Sequence, residues 1–529
     1  MKFSRRDFLL LGSGVAVSAG CDTSLSEHLW PYTGGPDREN TAFSPPDSEA
    51  VDLVSHCLNR LSFGPKPARQ IRYSPFQNKP AEIDRHPPFY RSCDYQRLSA
   101  LGETPEEAVS AYVEEQLQPG KIDDSLAEFA LRRFQTIHQP IGELFEYQEK
   151  FLLSQLTLAT LIRAVVSERQ LQEVMVQFWT DHFNIDQSKG DCRWLKVWDD
   201  QEVIRQHALG KFPELLKASA LSPAMLWYLD GRENIKQKPD DQPNENYARE
   251  LLELHTLGVN GGYGQQDVAE VARCLTGWRV QSKKSGKFLI SGLGQVEFDQ
   301  HLHDDEKKSV LGQIIPAGLG EQDLDRVLGI VGLHPSTAEH LATKLCRRFI
   351  ADEPPSGAVQ SVAASFLRSE GDIGQTLHAL VQTDEFQQHR SNKFKRPFNF
   401  LVSALRATGA TVGPNPESWH LEDQPLCDYL LRMGDAPFQY PSPDGYPQVM
   451  IPWLGTLLWR WDFALKLSQN HHPGIRIDRQ EDLETHAGGA EKLLAHVFAR
   501  QADQTELEAY RQSENGLALA LAGPAFQMC

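Results

Sequence analysis

The sequence predicts a mainly α-helical fold, a large multi-helix body with one small β-hairpin excursion. Apolar residues recur with a helical period from Val51 onward. Convincing alternating strands are few, and no Gly-rich phosphate loop follows a strand, which disfavours a doubly wound α/β fold. No internal repeat of fixed period is visible. With 40% hydrophobic residues, a body of about five hundred residues supports one very large lobe or two intimately packed lobes.

The order of these patterns divides the chain into five regions. A Gly- and Asp-rich middle flanked by apolar runs predicts a β-hairpin insert at 286–316. Residues 71–104 lack any period and look like an insertion, and a Pro- and aromatic-rich loop covers 436–453. The five regions are a signal at 1–20, a tether at 21–50, an N-terminal helical lobe at 51–285, the hairpin insert at 286–316 and a C-terminal helical lobe at 317–529.

The first residues predict export by the twin-arginine route. Arg5 and Arg6 stand in the run S-R-R-D-F-L-L, and an apolar stretch follows to Ala19. That stretch is well short of the roughly 20 residues that span a bilayer. Small residues then precede Cys21, whose thiol is the predicted lipidation site. The alternative is ordinary signal cleavage, with Cys21 a chance thiol. We expect a lipid-anchored protein on the periplasmic side of the inner membrane.

The net charge excludes two classes of partner. The formal charge is −18, and removal of the signal takes away Lys2, Arg5, Arg6 and Asp7, a net of +2, which gives −20. A surface this acidic argues against non-specific nucleic-acid binding and against a polybasic membrane contact.

The cysteines indicate neither a disulfide framework nor a zinc ribbon. The chain has 8 cysteines, none of them in a C-x-x-C pair, and lipidation of Cys21 would leave an odd number. Cys274 and Cys346 fall inside helical apolar patterns, where we expect small buried side chains.

His182 is the first candidate for chemistry. The preceding apolar residues lay a stripe along one helix face, and at about 100° per residue His182 falls in the middle of it. The alternative is a hydrogen-bonded core histidine, which is the commoner role for a buried imidazole.

A stronger candidate lies in the run P-N-E-N-Y-A-R-E-L-L-E-L-H-T-L-G at 243–258. Asn244 is a good helix N-cap and Gly258 a good C-terminal stop. On the helical wheel His255 lies among apolar residues and Glu250 lies at their edge. Because a buried carboxylate is costly unless it is paired or binds a metal, we expect Glu250 to have a partner.

A third candidate is a polar cluster in the hairpin insert. It brings His303 and Asp304 together with His301, Asp305 and Lys307. Histidine and carboxylate at this density suit a divalent-metal site or a general acid/base site, and they suit a hydrated hairpin tip equally well. Upstream, Asp267 could be functional or could cap the helix that it begins.

A long set of residues resembles one bacterial family, the domain of unknown function 1800 (DUF1800). The resemblance covers about Val51 to the C-terminus. It is carried by the run 243–258, by H-C-L-N-R-L-S-F-G at 56–64, and by Phe178, Trp179, His182, Phe183, Gly262, Tyr263, Asp267, Val268, Thr276, Gly277, Trp278, His303, Asp304, Lys307, Leu311, Gly312, His334, Pro335, Thr337, Ala338, Lys344, Leu345, Phe349, Pro443, Asp444, Gly445, Tyr446 and Trp453. The family usually has a Gly before Lys307, where this chain has Asp305 and Glu306.

The resemblance implies export and genomic pairing with another exported family, domain of unknown function 1501, but it implies no activity. Two hypotheses follow. The first is a hydrolytic enzyme that uses His182, Glu250, His255, His303 and Asp304 for acid/base chemistry, or His182, Glu250, His255 and His303 to hold a divalent metal. No H-E-x-x-H spacing supports the metal. The second is a non-catalytic scaffold that docks a 1501-family protein through the loop from Pro437 to Trp453.

Overall fold

The computed structural model of the chain describes residues 44–67, 69–71, 89–91, 93–238, 240–282 and 292–529. The predicted export motif at Arg5 and Arg6, the lipidation site at Cys21 and most of the tether lie outside the described residues. Two compact units emerge from the chain's contacts. Of the first unit the structure describes only 69–71 and 89–91, and the second contains the other described residues, from 44–67 and 93–529.

The fold class predicted from the sequence is confirmed, since most of the described residues are helical and the sheets among them are small. In the first half of the chain the α-helices are α1 (Leu53–Leu61), α2 (Asp94–Ser99), α3 (Pro105–Gln116), α4 (Ser125–Leu131), α5 (Ile141–Leu144), α6 (Glu149–Val166), α7 (Gln170–His182), α8 (Cys192–Trp198), α9 (Phe212–Ala220), α10 (Pro223–Tyr228), α11 (Asn246–Glu250) and α12 (Gln265–Cys274).

In the second half they are α13 (Gln322–Gly332), α14 (Pro335–Phe349), α15 (Ser356–Arg368), α16 (Ile373–Val381), α17 (Asp384–Gln388), α18 (Pro397–Ala407), α19 (Pro425–Arg432), α20 (Leu457–Ser468), α21 (Gln480–Ala487), α22 (Ala490–Phe498), α23 (Gln504–Gln512), α24 (Gly516–Ala522) and α25 (Pro524–Gln527). Short 3₁₀ helices connect them at Pro119–Lys121, Gln135–His138, Gly231–Glu233, Gln300–Leu302, Leu421–Asp423 and Ile451–Thr456.

The strands form antiparallel pairs of two or three residues. They are β1 (Arg69–Ile71) with β2 (Phe89–Arg91), β3 (Trp278–Val280) with β4 (Val296–Phe298), β5 (Lys308–Val310) with β6 (Gln313–Ile315), and β7 (Thr411–Val412) with β8 (Ile475–Arg476). The expectation that notable strands lie only within 286–316 is therefore wrong. Strand β3 precedes that range, and the pairs β1–β2 and β7–β8 lie far from it. Strands of two or three residues are too short to show an alternating pattern, so the sequence did not predict them.

One continuous core holds the second unit together. Helices α6 and α7 run through it, with Leu156, Leu161, Val174 and Phe178 among the buried side chains. The described cysteines are all buried, Cys274 and Cys346 among them, as predicted for those two. In the described part of the chain, no helix combines the length and apolar character that crossing a bilayer requires.

Candidate functional site

The run 243–258 forms a helix that changes its winding halfway. Helix α11 ends at Glu250, and residues Leu251–His255 continue it as a π-helix. The first turn begins at Asn246, whose backbone N–H donates to Asn244 Oδ1 across 3.0 Å. A π turn widens the helix and is frequent at functional sites. It also leaves carbonyl groups at the end of the helix without a partner in the helix itself.

Two histidines from other helices satisfy two of these carbonyls. His182, the last residue of α7, donates from Nε2 to the carbonyl oxygen of His255 across 3.2 Å. His340, on α14, donates from Nε2 to the carbonyl oxygen of Leu254, also across 3.2 Å. Since a carbonyl oxygen can only accept, both rings carry their proton on Nε2. The other ring nitrogen of each, Nδ1, is therefore a lone-pair acceptor.

The Nδ1 lone pair of His182 accepts a hydrogen bond from Lys344. The Nζ–Nδ1 distance is 2.9 Å, and Lys344 lies one helical turn after His340 on α14. Burial lowers the pKa of Lys344 to about 8, although Asp181 and Asp444 act to raise it. Burial and the Lys344 charge hold the pKa of His182 well below its usual range. His182 is thus a neutral imidazole, and it holds an amine that deprotonates near neutral pH.

His182 and His255 are both buried, as the helical period predicts, with exposed fractions of 1% each. Their ring centroids are 6.1 Å apart. Burial and Lys344 lower the pKa of His255 to about 3, so this ring is also neutral. Its Nε2 atom is buried and has no hydrogen-bond partner among the described residues.

Glu250 immediately precedes the π turn. It is half-buried, and among the described residues it makes neither a hydrogen bond nor an ion pair, so the expected partner is missing. Burial raises its pKa, helped by the nearby charges of Glu253 and Asp444. Asp444 is exposed, and its charge also raises the pKa values of Lys344, Tyr228 and Tyr440. These groups therefore surround the turn that carries Asp444.

A buried ion cluster fixes that turn against α7. Arg396 donates to both Asp181 and Asp435, and the three side chains are almost inaccessible to solvent. Gln448 adds a hydrogen bond to Asp181 Oδ2 at 3.0 Å. Because Asp181 precedes His182, the cluster also fixes the end of α7.

His303 and Asp304 belong to a different set of contacts. His303 Nδ1 donates to the carbonyl oxygen of Thr276 across 2.9 Å, and its Nε2 lies 3.2 Å from Asp323 Oδ2. Asp304 accepts from Arg273 at 2.9 and 3.1 Å. Burial acts to raise the pKa of Asp304, but the Arg273 hydrogen bonds bring it down to about 2. These residues join the hairpin insert to α12 and α13. Neither is brought to His182.

The four side chains predicted to hold a metal are therefore not assembled. In the described ranges, no three His, Cys, Asp or Glu side chains lie close enough together to hold a metal ion. His182 also has no ring nitrogen to offer, because a lysine and a carbonyl occupy both. Asp267 takes the capping role, accepting from the backbone N–H of Gly264 at 2.9 Å and of Leu311 at 2.8 Å.

Sequence reasoning missed His340 and the role of Lys344. The two stand four residues apart in P-S-T-A-E-H-L-A-T-K, a spacing that puts both on one face of α14. Three aromatic side chains of the loop from Pro437 to Trp453 are buried. Phe438, Tyr446 and Trp453 have exposed fractions of 3%, 8% and 5%, so these three pack on the core.

Comparison with known proteins supports the family resemblance that the sequence motifs indicate. No curated protein and no solved structure matches the chain significantly. The model of one family, described as "Protein of unknown function (DUF1800)", matches residues 56–528. Because this match spans most of the chain and includes α7, the π turn and α14, the protein belongs to the DUF1800 family.

Proposed function

We propose that the protein is an exported, lipid-anchored enzyme of the hydrolytic class, in which the Lys344 amine acts as a general base. The observation that carries the proposal is the 2.9 Å hydrogen bond between Lys344 Nζ and His182 Nδ1, together with a lysine pKa of about 8. A base works best when its pKa lies near the working pH. An ordinary lysine, with a pKa near 10.4, is about 2 units too basic for this.

His182 is the positioning residue. Its Nε2–H is engaged by the His255 carbonyl, so its Nδ1 can only accept. The amine of Lys344 therefore donates one of its N–H groups to His182 Nδ1. Once it is neutral, its lone pair and its one remaining N–H are left for other partners. In the proposed reaction the amine takes a proton from an attacking water and returns it to the leaving group.

Access to the amine favours catalysis over a purely structural role. Lys344 is half-buried and lies in the field of the exposed Asp444. Glu250, half-buried beside the same aspartate, has a raised pKa. A carboxyl group of that kind can carry a proton closer to neutral pH than an ordinary one. The pair would supply a base and an acid beside the turn that carries Asp444.

The acid/base form of the enzyme hypothesis is preferred to the metal form because of His182. Both of its ring nitrogens are hydrogen-bonded within the protein, whereas a ligand needs a free ring nitrogen. Export and lipid anchoring are proposed from Arg5, Arg6 and Cys21 alone. A 1501-family partner is likewise proposed, and the family resemblance is its only support.

The test is a pH–rate profile of the purified protein on a panel of activated esters, amides and phosphate esters. We expect turnover of at least one class, rising with a midpoint near pH 8. Lys344→Met should lower the rate by about 100-fold or more. Lys307→Met, which removes an exposed lysine of the hairpin insert, is the matched control and should leave the rate unchanged.

His182 is tested separately by a conservative rescue. The side-chain oxygen of His182→Gln can still accept from Lys344, whereas His182→Leu cannot. Partial activity in the Gln variant and none in the Leu variant supports positioning. Equal loss in both variants, or a rate that is independent of Lys344, refutes the proposed mechanism.

A further inference from the structure

A row of large apolar side chains lies exposed in the C-terminal half. We name it the outer stripe. Its members are Ile451, Leu454, Leu458, Trp461 and Leu465, with exposed fractions of 77%, 45%, 68%, 52% and 39%. Scattered exposed apolar residues are ordinary, but a contiguous row of this kind indicates a binding surface.

The five side chains form one row because the helix is continuous. Residues Ile451–Thr456 wind as a 3₁₀ helix, and α20 follows directly at Leu457. Three residues per turn place Leu454 directly above Ile451. In α20, steps of four, three and four residues then keep Leu458, Trp461 and Leu465 on the same face. This alternation of three and four is the spacing by which one helix packs along another.

The inner face of α20 already has its own core contacts. Phe463, Ala464 and Leu467 are buried. Arg460, which is fully buried, donates to Thr456 Oγ1 at 2.9 Å and to Gln527 Oε1 at 2.8 Å. The helix is thus apolar on two faces, only one of which the described body covers.

The size of the outer stripe suits a stable protein interface. If a whole large apolar side chain has roughly 200 Å², these exposed fractions amount to roughly 600 Å². Two such surfaces together would bury roughly 1,200 Å², which is the lower limit for stable complexes before any polar rim is added.

The charged residues beside the outer stripe indicate which kind of partner can bind there. Lys466 pairs with Asp462 at 2.8 Å, and Arg432 pairs with Asp428 at 2.8 Å. Arg432 also lies over the Trp459 ring, 4.8 Å from its centroid, which places that pair beside α20. This border is balanced, whereas the chain as a whole carries −18. Two copies of so acidic a protein repel each other except where charges cancel, and an anionic lipid surface would instead require a basic border.

We propose that the outer stripe is the contact surface for a second copy of this chain, in an isologous pair. In such a pair the same surface serves both copies. Leu458 is the middle residue of the row, so the two-fold axis passes near it. Ile451 of each copy then lies against Leu465 of the other.

The test is disulfide crosslinking of the full chain in native membranes. Single cysteines replace each stripe residue in turn, and copper phenanthroline oxidises the sample. We expect a band of twice the 59.5 kDa chain mass, strongest for Leu458→Cys. Two differently tagged copies should be recovered together in that band. Ile314→Cys, with a similarly exposed side chain at 63%, is the matched control and should not crosslink.

A second variant tests the energetics. Leu458→Glu should lower crosslinking through Trp461→Cys by about tenfold or more, since a charge at the centre of an interface is costly. Ile314→Glu should not lower it. Helical content measured by circular dichroism confirms that both variants fold.

Three results would overturn the proposal. The first is the absence of a double-mass band for every stripe cysteine. The second is a band that contains a different protein. The third is a stripe cysteine that reacts with an impermeant maleimide only after detergent is added, while staying uncrosslinked, because lipid then covers the stripe.

Discussion

Lys344 Nζ lies 2.9 Å from His182 Nδ1, and this contact joins the middle of α14 to the last residue of α7. The same imidazole donates to the π turn through the carbonyl oxygen of His255. One ring therefore links three separate stretches of chain. Because its proton is fixed on Nε2, it presents a lone pair to the lysine.

The first prediction concerns the titration of Lys344. Burial lowers its pKa to about 8, so the amine should become reactive toward an acylating reagent with a midpoint near pH 8. Most lysines require a pH near 10.4. Mass spectrometry of the labelled peptide measures the midpoint directly.

Replacing Asp444 should shift the titration midpoint of Lys344 in a predictable direction. The Asp444 charge raises the pKa of Lys344, so Asp444→Asn should move the midpoint below 8. Asp305→Asn removes an exposed carboxylate in the hairpin insert and should leave the midpoint unchanged. A midpoint near 10, or an upward shift in Asp444→Asn, contradicts the electrostatics described above.

The second prediction concerns acid stability. The pKa of His255 is about 3 in the folded chain and about 6.5 when unfolded. Between these values only the unfolded state binds the proton. The free energy of unfolding therefore falls as pH drops below 6.5, by about 1.4 kcal/mol per pH unit for this residue.

His255→Phe should make that slope shallower by about the same amount, whatever it does to the absolute stability. Denaturant unfolding at several pH values between 4 and 6.5 provides the slope. His486→Phe, at an exposed position, is the control. If the two variants have equal slopes, His255 does not stay neutral in the fold.

The sequence predicted the features of this site that arise within one helix, but not the contacts between residues far apart in the chain. The burial of His182 and His255 follows from a period of 3.6 residues within a single helix, and it was confirmed. The bond between His182 and Lys344 joins residues 162 positions apart, and no local pattern specifies such a pairing. A π turn is also invisible to a wheel drawn at about 100° per residue.

His303 and Asp304 illustrate the reverse case. Their density in the sequence was compatible with a metal site or an acid/base site. In the structure, Arg273 of α12 binds Asp304 and Asp323 of α13 contacts His303, so the cluster is a buried network of polar and charged contacts. Residue types indicated that a polar cluster exists. Only the tertiary partners decide what the cluster does.

The third prediction concerns Gly445. Its φ is +74°, and a Cβ there would lie 2.0 Å from the carbonyl oxygen of Asp181. Gly445→Ala must therefore displace the turn that carries Asp444 from the end of α7. Gly434 has nearly the same φ, +72°, with nothing within 4 Å of a built Cβ.

The two alanine variants share the backbone strain and differ in the clash. Gly445→Ala should be less stable than Gly434→Ala by about 1–3 kcal/mol. It should also alter the Lys344 titration midpoint, because Asp444 moves. Thermal and denaturant unfolding of the pair measure the difference, and equal stability would show that the turn is not packed against α7.

The fourth prediction concerns the anchor. Cys21→Ala should leave the chain unprocessed or release it into the soluble periplasmic fraction, since Cys21 is the proposed acceptor of the lipid. Lys replacement of both Arg5 and Arg6 should block export separately. Fractionation and a radioactive lipid label measure both effects, and an unchanged membrane fraction with an unchanged label would refute the anchor.

The fifth prediction concerns Arg396, which is 5% exposed and donates to both Asp181 and Asp435. Arg396→Met would leave two buried carboxylates without their cation, so the free energy of unfolding should fall by about 3–5 kcal/mol. Arg396→Lys should recover only part of this, because a lysine cannot make the paired hydrogen bonds of a guanidinium. Arg432→Met breaks an exposed pair with Asp428 and should leave the stability almost unchanged, because water screens a pair of this kind. Because Asp181 precedes His182, Arg396→Met should also change the Lys344 titration, which Arg432→Met should not. Equal losses of stability in the two Met variants would mean that the cluster does not hold the end of α7.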